Sequence, residues 1–207
     1  MGEIIDYSSA IAAIVALFIT VRQMRLSNKQ ALFEKRTKIF MDSMGFIELY
    51  KKNEDSINKY IKEKEPLWTI DFLMSNLTNN SYLNSLMLGF SDPLGKYHRE
   101  FLIKLEEIKK LSLEIELAFN GINSIELSKF IIDYQELLFS LYQYKIRFEK
   151  IKDLADTHKK SFEDASDMLK EEDERKNVIK KFINLRTHFD FLIKENTMDL
   201  IKREIKL

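Results

Sequence analysis

Five Gly and two Pro in 207 residues constrain this chain more than any other feature. Sheets and doubly wound folds turn on loops rich in Gly and Pro, because those residues supply the dihedrals that tight turns need. Without such punctuation, apolar residues at helical spacing fill the sequence, and the chain is expected to be all-α. The few clear breaks are Glu65-Pro66, the Asn- and Ser-rich stretch 76–84, the segment GFSDPLG at 89–95, and Asn120-Gly121. Pro at a first helical turn places a new helix near Leu67, Trp68, Ile70 and Phe72.

Between these breaks the 3.6-residue period marks the helices. Phe101, Leu105, Ile108, Leu111 and Ile115 share one face of a helix over about 97–119. Asn120-Gly121 ends it, with Gly suited to a left-handed cap. Asn123 then reads as an N-cap, with Glu126 three residues on completing a capping box.

The most regular signal is a seam at alternating 3,4 spacing. It comprises Leu127, Phe130, Tyr134, Leu137, Leu141, Tyr144, Phe148 and Ile151, and continues through Ala155, His158, Phe162, Ala165 and Leu169. Such a seam needs a partner along its length. One continuous helix would be ~60 Å long at ~1.5 Å per residue. The partner is either the preceding helix in an αα-hairpin or another subunit. Lys170–Asn177, KEEDERKN, reads as a solvated hinge or helix face. A last helix carries Ile179, Phe182, Leu185, Phe189 and Leu192. A bundle of four or five helices follows.

The N-terminus differs from the rest. Tyr7–Val21, YSSAIAAIVALFITV, holds no charge. Arg22, Arg25, Lys29, Lys35, Arg36 and Lys38 follow it, and Glu3 and Asp6 precede it. That charge asymmetry predicts one transmembrane helix with a cytoplasmic C-terminal part. Residues 1–25 are then a membrane anchor and 26–207 a cytoplasmic helical domain with a long helical hairpin, at the inner (cytoplasmic) membrane. Fifteen uncharged residues span only ~22 Å of ~30 Å of hydrocarbon, so flanking residues must contribute. Ser8, Ala12, Ala16 and Thr20 recur every four residues and form a small stripe through which such helices approach closely. Beyond the anchor, Leu26, Phe33, Phe40 and Ile47 recur every seven, as in a helix that continues into the domain.

Composition narrows the chemistry. Lys plus Arg is 33 and Asp plus Glu is 33, so no basic surplus points to duplex nucleic acid. The chain has no Cys, which removes disulfides, thiolate metal sites and thiol nucleophiles. His98, His158 and His188 match no zinc spacing. Arg186 and His188 are closer together than the paired Arg and His of helical toxin ribonucleases. Glu163, Asp164, Asp167, Glu171, Glu172 and Asp173 form an acidic cluster interleaved with Lys170, Arg175 and Lys176, the pattern of a solvated face. No phosphate-cradling loop and no nucleophile elbow is present. The expectation is a non-enzymatic protein with no cofactor and no metal. Arg99, Arg147, Lys180, Lys181 and Arg186 are candidates to bind an anionic signal, as cations at helix ends do.

Val15–Phe40, VALFITVRQMRLSNKQALFEKRTKIF, resembles the start of small bacterial single-pass membrane proteins with a helical cytoplasmic domain. Arg22, Gln23 and Arg25 carry the match. Some proteins of that plan are anti-phage effectors gated by cyclic oligoadenylates. The resemblance implies a self-associating membrane effector whose helical domain senses a cyclic oligonucleotide or a protein partner. The other expectation is a membrane-tethered adaptor that holds a protein partner through its helical seam.

Overall fold

The computed structural model describes residues 2–63 and 69–205, with side-chain surroundings described for 12–62 and 70–205. Among these residues it is all-α, with eight helices: α1 (Gly2–Glu63), α2 (Thr69–Leu77), α3 (Leu86–Ser91), α4 (His98–Ala118), α5 (Ile122–His158), α6 (Phe162–Met168), α7 (Glu171–Lys194) and α8 (Thr197–Arg203). The helix start expected at Pro66 lies outside the described residues.

Helix α5 is the central element because two of its faces are apolar. The seam Leu127, Phe130, Tyr134, Leu137, Leu141 and Tyr144 is buried, and so is a second row, Ile131, Leu138 and Tyr142. These rows pack most extensively against α7 and α4, and also meet α1, α2 and α8. Helix α7 contributes Val178, Phe182, Leu185, Phe189 and Leu192, and α4 contributes the five residues its period marked. Helix α1 joins this core only from Ile39 onward, through Phe46, Ile47, Tyr50, Ile57 and Tyr60. Aromatic rings bind the three helices together. Tyr50 and Phe189 centroids lie 4.4 Å apart, and Phe46 and Tyr134 meet edge to face at 5.0 Å. Such pairs contribute about 0.5–1.5 kcal/mol beyond their buried area.

Two glycines fix local geometry. Gly121 adopts φ +82° at the α4–α5 turn, a region an L side chain rarely enters. A Cβ on Gly89 would lie 2.6 Å from Phe101 Cβ and 2.7 Å from the Tyr97 carbonyl oxygen, so α3 meets the start of α4 backbone to backbone. Helix α5 starts at Ile122 without a side-chain cap, and the expected Asn123–Glu126 box is replaced by a Glu126–Lys129 ion pair at 2.7 Å.

The expected transmembrane helix is corrected. Among the described residues no helix is long and apolar enough to cross a membrane. From Ala12, the first residue with a described side chain, uncharged sequence runs only to Val21 before Arg22 and Arg25 follow in the same helix. Ten residues cover ~15 Å, half the hydrocarbon thickness. The boundary expected between 25 and 26 falls inside the unbroken helix α1.

Candidate functional site

Helix α1 leaves the bundle as an arm. Every residue from Ala12 to Leu32 is exposed, and coverage begins at Phe33. The exposed large apolar side chains there include Ile14, Val15, Leu17, Phe18, Ile19, Val21, Met24, Leu26 and Leu32, with Phe18 70% exposed. The arm is ~30 Å long at ~1.5 Å per residue. Contiguous apolar surface of this kind marks an interaction site in a folded protein. The arm is rooted by Arg36, whose Nε donates to the Ala118 carbonyl at 2.8 Å while an Nη donates to the Glu204 carbonyl at 3.1 Å. One guanidinium thus closes the C-terminal ends of α4 and α8, where free carbonyls and the helix dipole favour a cation.

The small stripe lies on this arm. Ala12, Ala16 and Thr20 are exposed, whereas Ser8 lies outside the described side chains. The Thr20 hydroxyl donates to the Ala16 carbonyl of its own helix at 2.8 Å, so it is already partnered.

The seam residues sit elsewhere. Seven of them, all but the half-buried Phe148, are buried inside the chain, so the seam is core rather than an open partner surface. Beside it, polar side chains link α5 to the antiparallel α7 in a ladder. Arg147 pairs with Glu174 at 3.0 Å, Asn177 donates to Ser140 at 3.2 Å, and Lys181 pairs with Glu136 at 2.5 Å. The Tyr144 hydroxyl donates to Glu171. At the far end His188 Nδ1 meets Asp133 at 2.6 Å, and its Nε2 lies 3.9 Å from Glu126.

This ladder engages most of the candidate cations. Arg147 and Lys181 are rungs, eleven residues apart on α5 by their partners, or ~16 Å. Arg186 donates to Asn58 at 3.2 Å and lies 3.7 Å from Asp190. Arg99 and Lys180 are exposed on α4 and α7. The geometry does not gather the five into one cradle. His98 instead bonds the Pro93 carbonyl and Tyr142, and His158 is exposed in the last turn of α5. The acidic cluster spans the α6–α7 turn, where Asp167, Glu171, Glu172 and Asp173 line an open pocket of about 310 Å³. Among the described residues no acidic or histidine group is arranged to hold a metal ion.

A second pocket, of about 270 Å³, lies where the arm meets α4, lined by Lys38, Asp42, Tyr82, Glu107, Lys110 and Glu114 among others. Burial pushes the Asp42 carboxyl above its ordinary value, and Lys38 and Lys104 oppose that only partly. Lys145, buried beside α2, is the reverse case. Burial pulls its ammonium down, but Asp71 at 3.0 Å and Glu149 at 3.2 Å more than offset this, and the net shift is upward.

No protein-family model, no curated protein and no solved structure matches this chain. The exposed arm is therefore the feature from which function has to be argued. Sequence reasoning marked its apolar run but read the run as an anchor, and it missed the ladder and the Arg36 joint. Both join residues far apart in the chain, such as Arg36 and Glu204, which no local spacing reveals.

Proposed function

We propose that this protein is a non-enzymatic effector that associates with copies of itself through the arm of α1, while the bundle receives the trigger. The observation that carries this reading is the unbroken exposure of residues 12–32 with nine large apolar side chains among them. Burying apolar surface is worth roughly 25 cal/mol per Å², so an arm of this composition gains by being covered. The bundle beneath it has its own closed core, which leaves the arm free to serve association rather than folding.

The trigger that the N-terminal resemblance implies is a cyclic oligonucleotide in anti-phage defence, with exposed Arg99 and Lys180 as its candidate contacts. The test of self-association is the mass of the full-length chain at micromolar concentration, compared with a Leu17→Gln/Phe18→Gln variant. The expected result is a defined oligomer that the variant loses while its thermal transition stays unchanged. A wild-type monomer across that range sinks the reading. Calorimetric titration with cyclic oligoadenylates tests the trigger separately, and no heat with the wild type removes it.

A further inference from the structure

We propose that the arm's partner is the arm of a second copy, laid antiparallel across a two-fold axis at Ile14. This rests on the self-association reading above and adds the direction and register of the pair.

Helix α1 is continuous from Gly2, so positions along it have fixed faces. Tyr7, Ile11, Ile14, Phe18 and Val21 follow a 4,3,4,3 spacing, which is the seam of a two-helix pair. Ile14 and Phe18 are exposed at 67% and 70%, and Val21 is exposed too. Glu3 stands four residues before this seam and Arg25 four residues after it. The pattern is symmetric about position 14. Glu3 and Arg25 are equidistant from it, and so are Asp6 and Arg22.

Direction follows from charge. In an antiparallel pair centred on Ile14, position 3 of each copy stands level with position 25 of the other, and 6 with 22. Four opposite-charge pairings flank the apolar seam. A parallel, in-register pair would instead set Glu3 on Glu3 and Arg25 on Arg25, with Arg22 and Lys29 adding further like charges. Charge pairs beside a helical seam set partner orientation in this way.

The register also leaves room. Position 2 of one arm stands level with Leu26 of the other, seven residues short of Phe33, where coverage by the bundle begins. That gap is ~10 Å at ~1.5 Å per residue, so the two bundles sit at opposite ends of the paired arms without collision. Because the same surface serves both copies, the interface closes on itself as a dimer.

The chain has no native Cys, so single introduced thiols report on the arm alone. Full-length Phe18→Cys and Ile11→Cys proteins are oxidised separately and mixed. Antiparallel pairing predicts a cross-linked dimer only in the mixture, since two copies of position 18 would stand ~12 Å apart along the axis, beyond disulfide reach. Cross-linking of Phe18→Cys alone would overturn the geometry while leaving self-association standing. A monomeric mass with no cross-link in any sample overturns both. So does loss of cross-linking when the protein floats with phosphatidylcholine–phosphatidylglycerol vesicles, which would make lipid the occupant. A charge exchange gives the second readout. Arg25→Glu should weaken the dimer about tenfold at low salt, and Glu3→Arg/Arg25→Glu should restore it. A parallel pair would show neither loss nor rescue.

Discussion

At the scale of single residues, buried tyrosines separate bonded hydroxyls from orphaned ones. Tyr134 is fully buried and donates to the Leu77 carbonyl at 2.7 Å, satisfying the last turn of α2. Tyr134→Phe should therefore destabilise by about 1–3 kcal/mol in urea unfolding, because a buried acceptor loses its donor. The Tyr50 hydroxyl is buried with no hydrogen-bond partner among the described residues. Tyr50→Phe should be neutral or slightly stabilising in the same assay, since it removes an unmet group and keeps the ring. That Tyr134 is a core position was legible in the seam, but its bond is not, since Leu77 lies 57 residues away. The phenols also set an alkaline limit. Burial foremost, with Glu171 adding to it, pushes Tyr60 up to about 12, and burial likewise takes Tyr82 up to about 12. The folded protein thus holds these protons where the unfolded chain, near 10, has lost them. Their contribution is intact below pH 10 and is lost between pH 10 and about 12, so Tm should fall across that window. Tyr60→Phe should make the fall shallower, and an unchanged slope would contradict this account.

At the scale of elements, the helices were legible and several of their ends were not. The period over 97–119 appears as α4 within a residue at each end, and Gly121 marks the following turn. The 3,4 seam, by contrast, runs on to Leu169, while α5 stops at His158. Lys159, Lys170 and Asn196 end or precede helices in the left-handed region at φ 48°, 53° and 54°. None is Gly and none neighbours Pro, so a reading punctuated by those residues sees four or five helices where eight stand. The local cause after α5 is Ser161, whose hydroxyl accepts from the Asp164 amide at 3.1 Å and starts α6. Ser161→Ala should cost about 1 kcal/mol through this lost cap. Lys159→Gly should instead stabilise, by up to about 1 kcal/mol, because Gly enters the left-handed region without the Cβ penalty. Differential scanning calorimetry would resolve both, and a lower Tm for Lys159→Gly would show that the turn is not strained. The ladder gives a third case at this scale. His188→Ala leaves Asp133 and Glu126 lining the α5–α7 contact without the side chain between them, and should cost about 1–3 kcal/mol.

At the scale of the whole molecule, one helix has two fates. From Ile39 onward α1 is part of the core, and before Phe33 it touches nothing of its own chain. The sequence showed an apolar run followed by cations but not that the helix would pass through the break unbended, because a heptad-spaced residue such as Phe33 or Phe40 reads alike in a stalk and at a core edge. Arg36 is the joint between the two regimes, and its two carbonyl partners come from α4 and α8. The two halves should separate in amide hydrogen exchange. A helix without tertiary contacts is marginal in water, with one residue's bond gained per residue fixed and little else. Amides of 12–32 should therefore exchange fast at high dilution, while those of α5 exchange only through global opening. Raising the protein concentration should slow exchange in 12–32 alone, because association stabilises by mass action what it covers. Arg36→Ala should spread fast exchange past Phe33 into the first turns of the core segment at every concentration, since it frees two helix ends at once. If 12–32 were protected equally at all concentrations, the arm would be held within its own chain, and neither the joint nor the pairing would describe it.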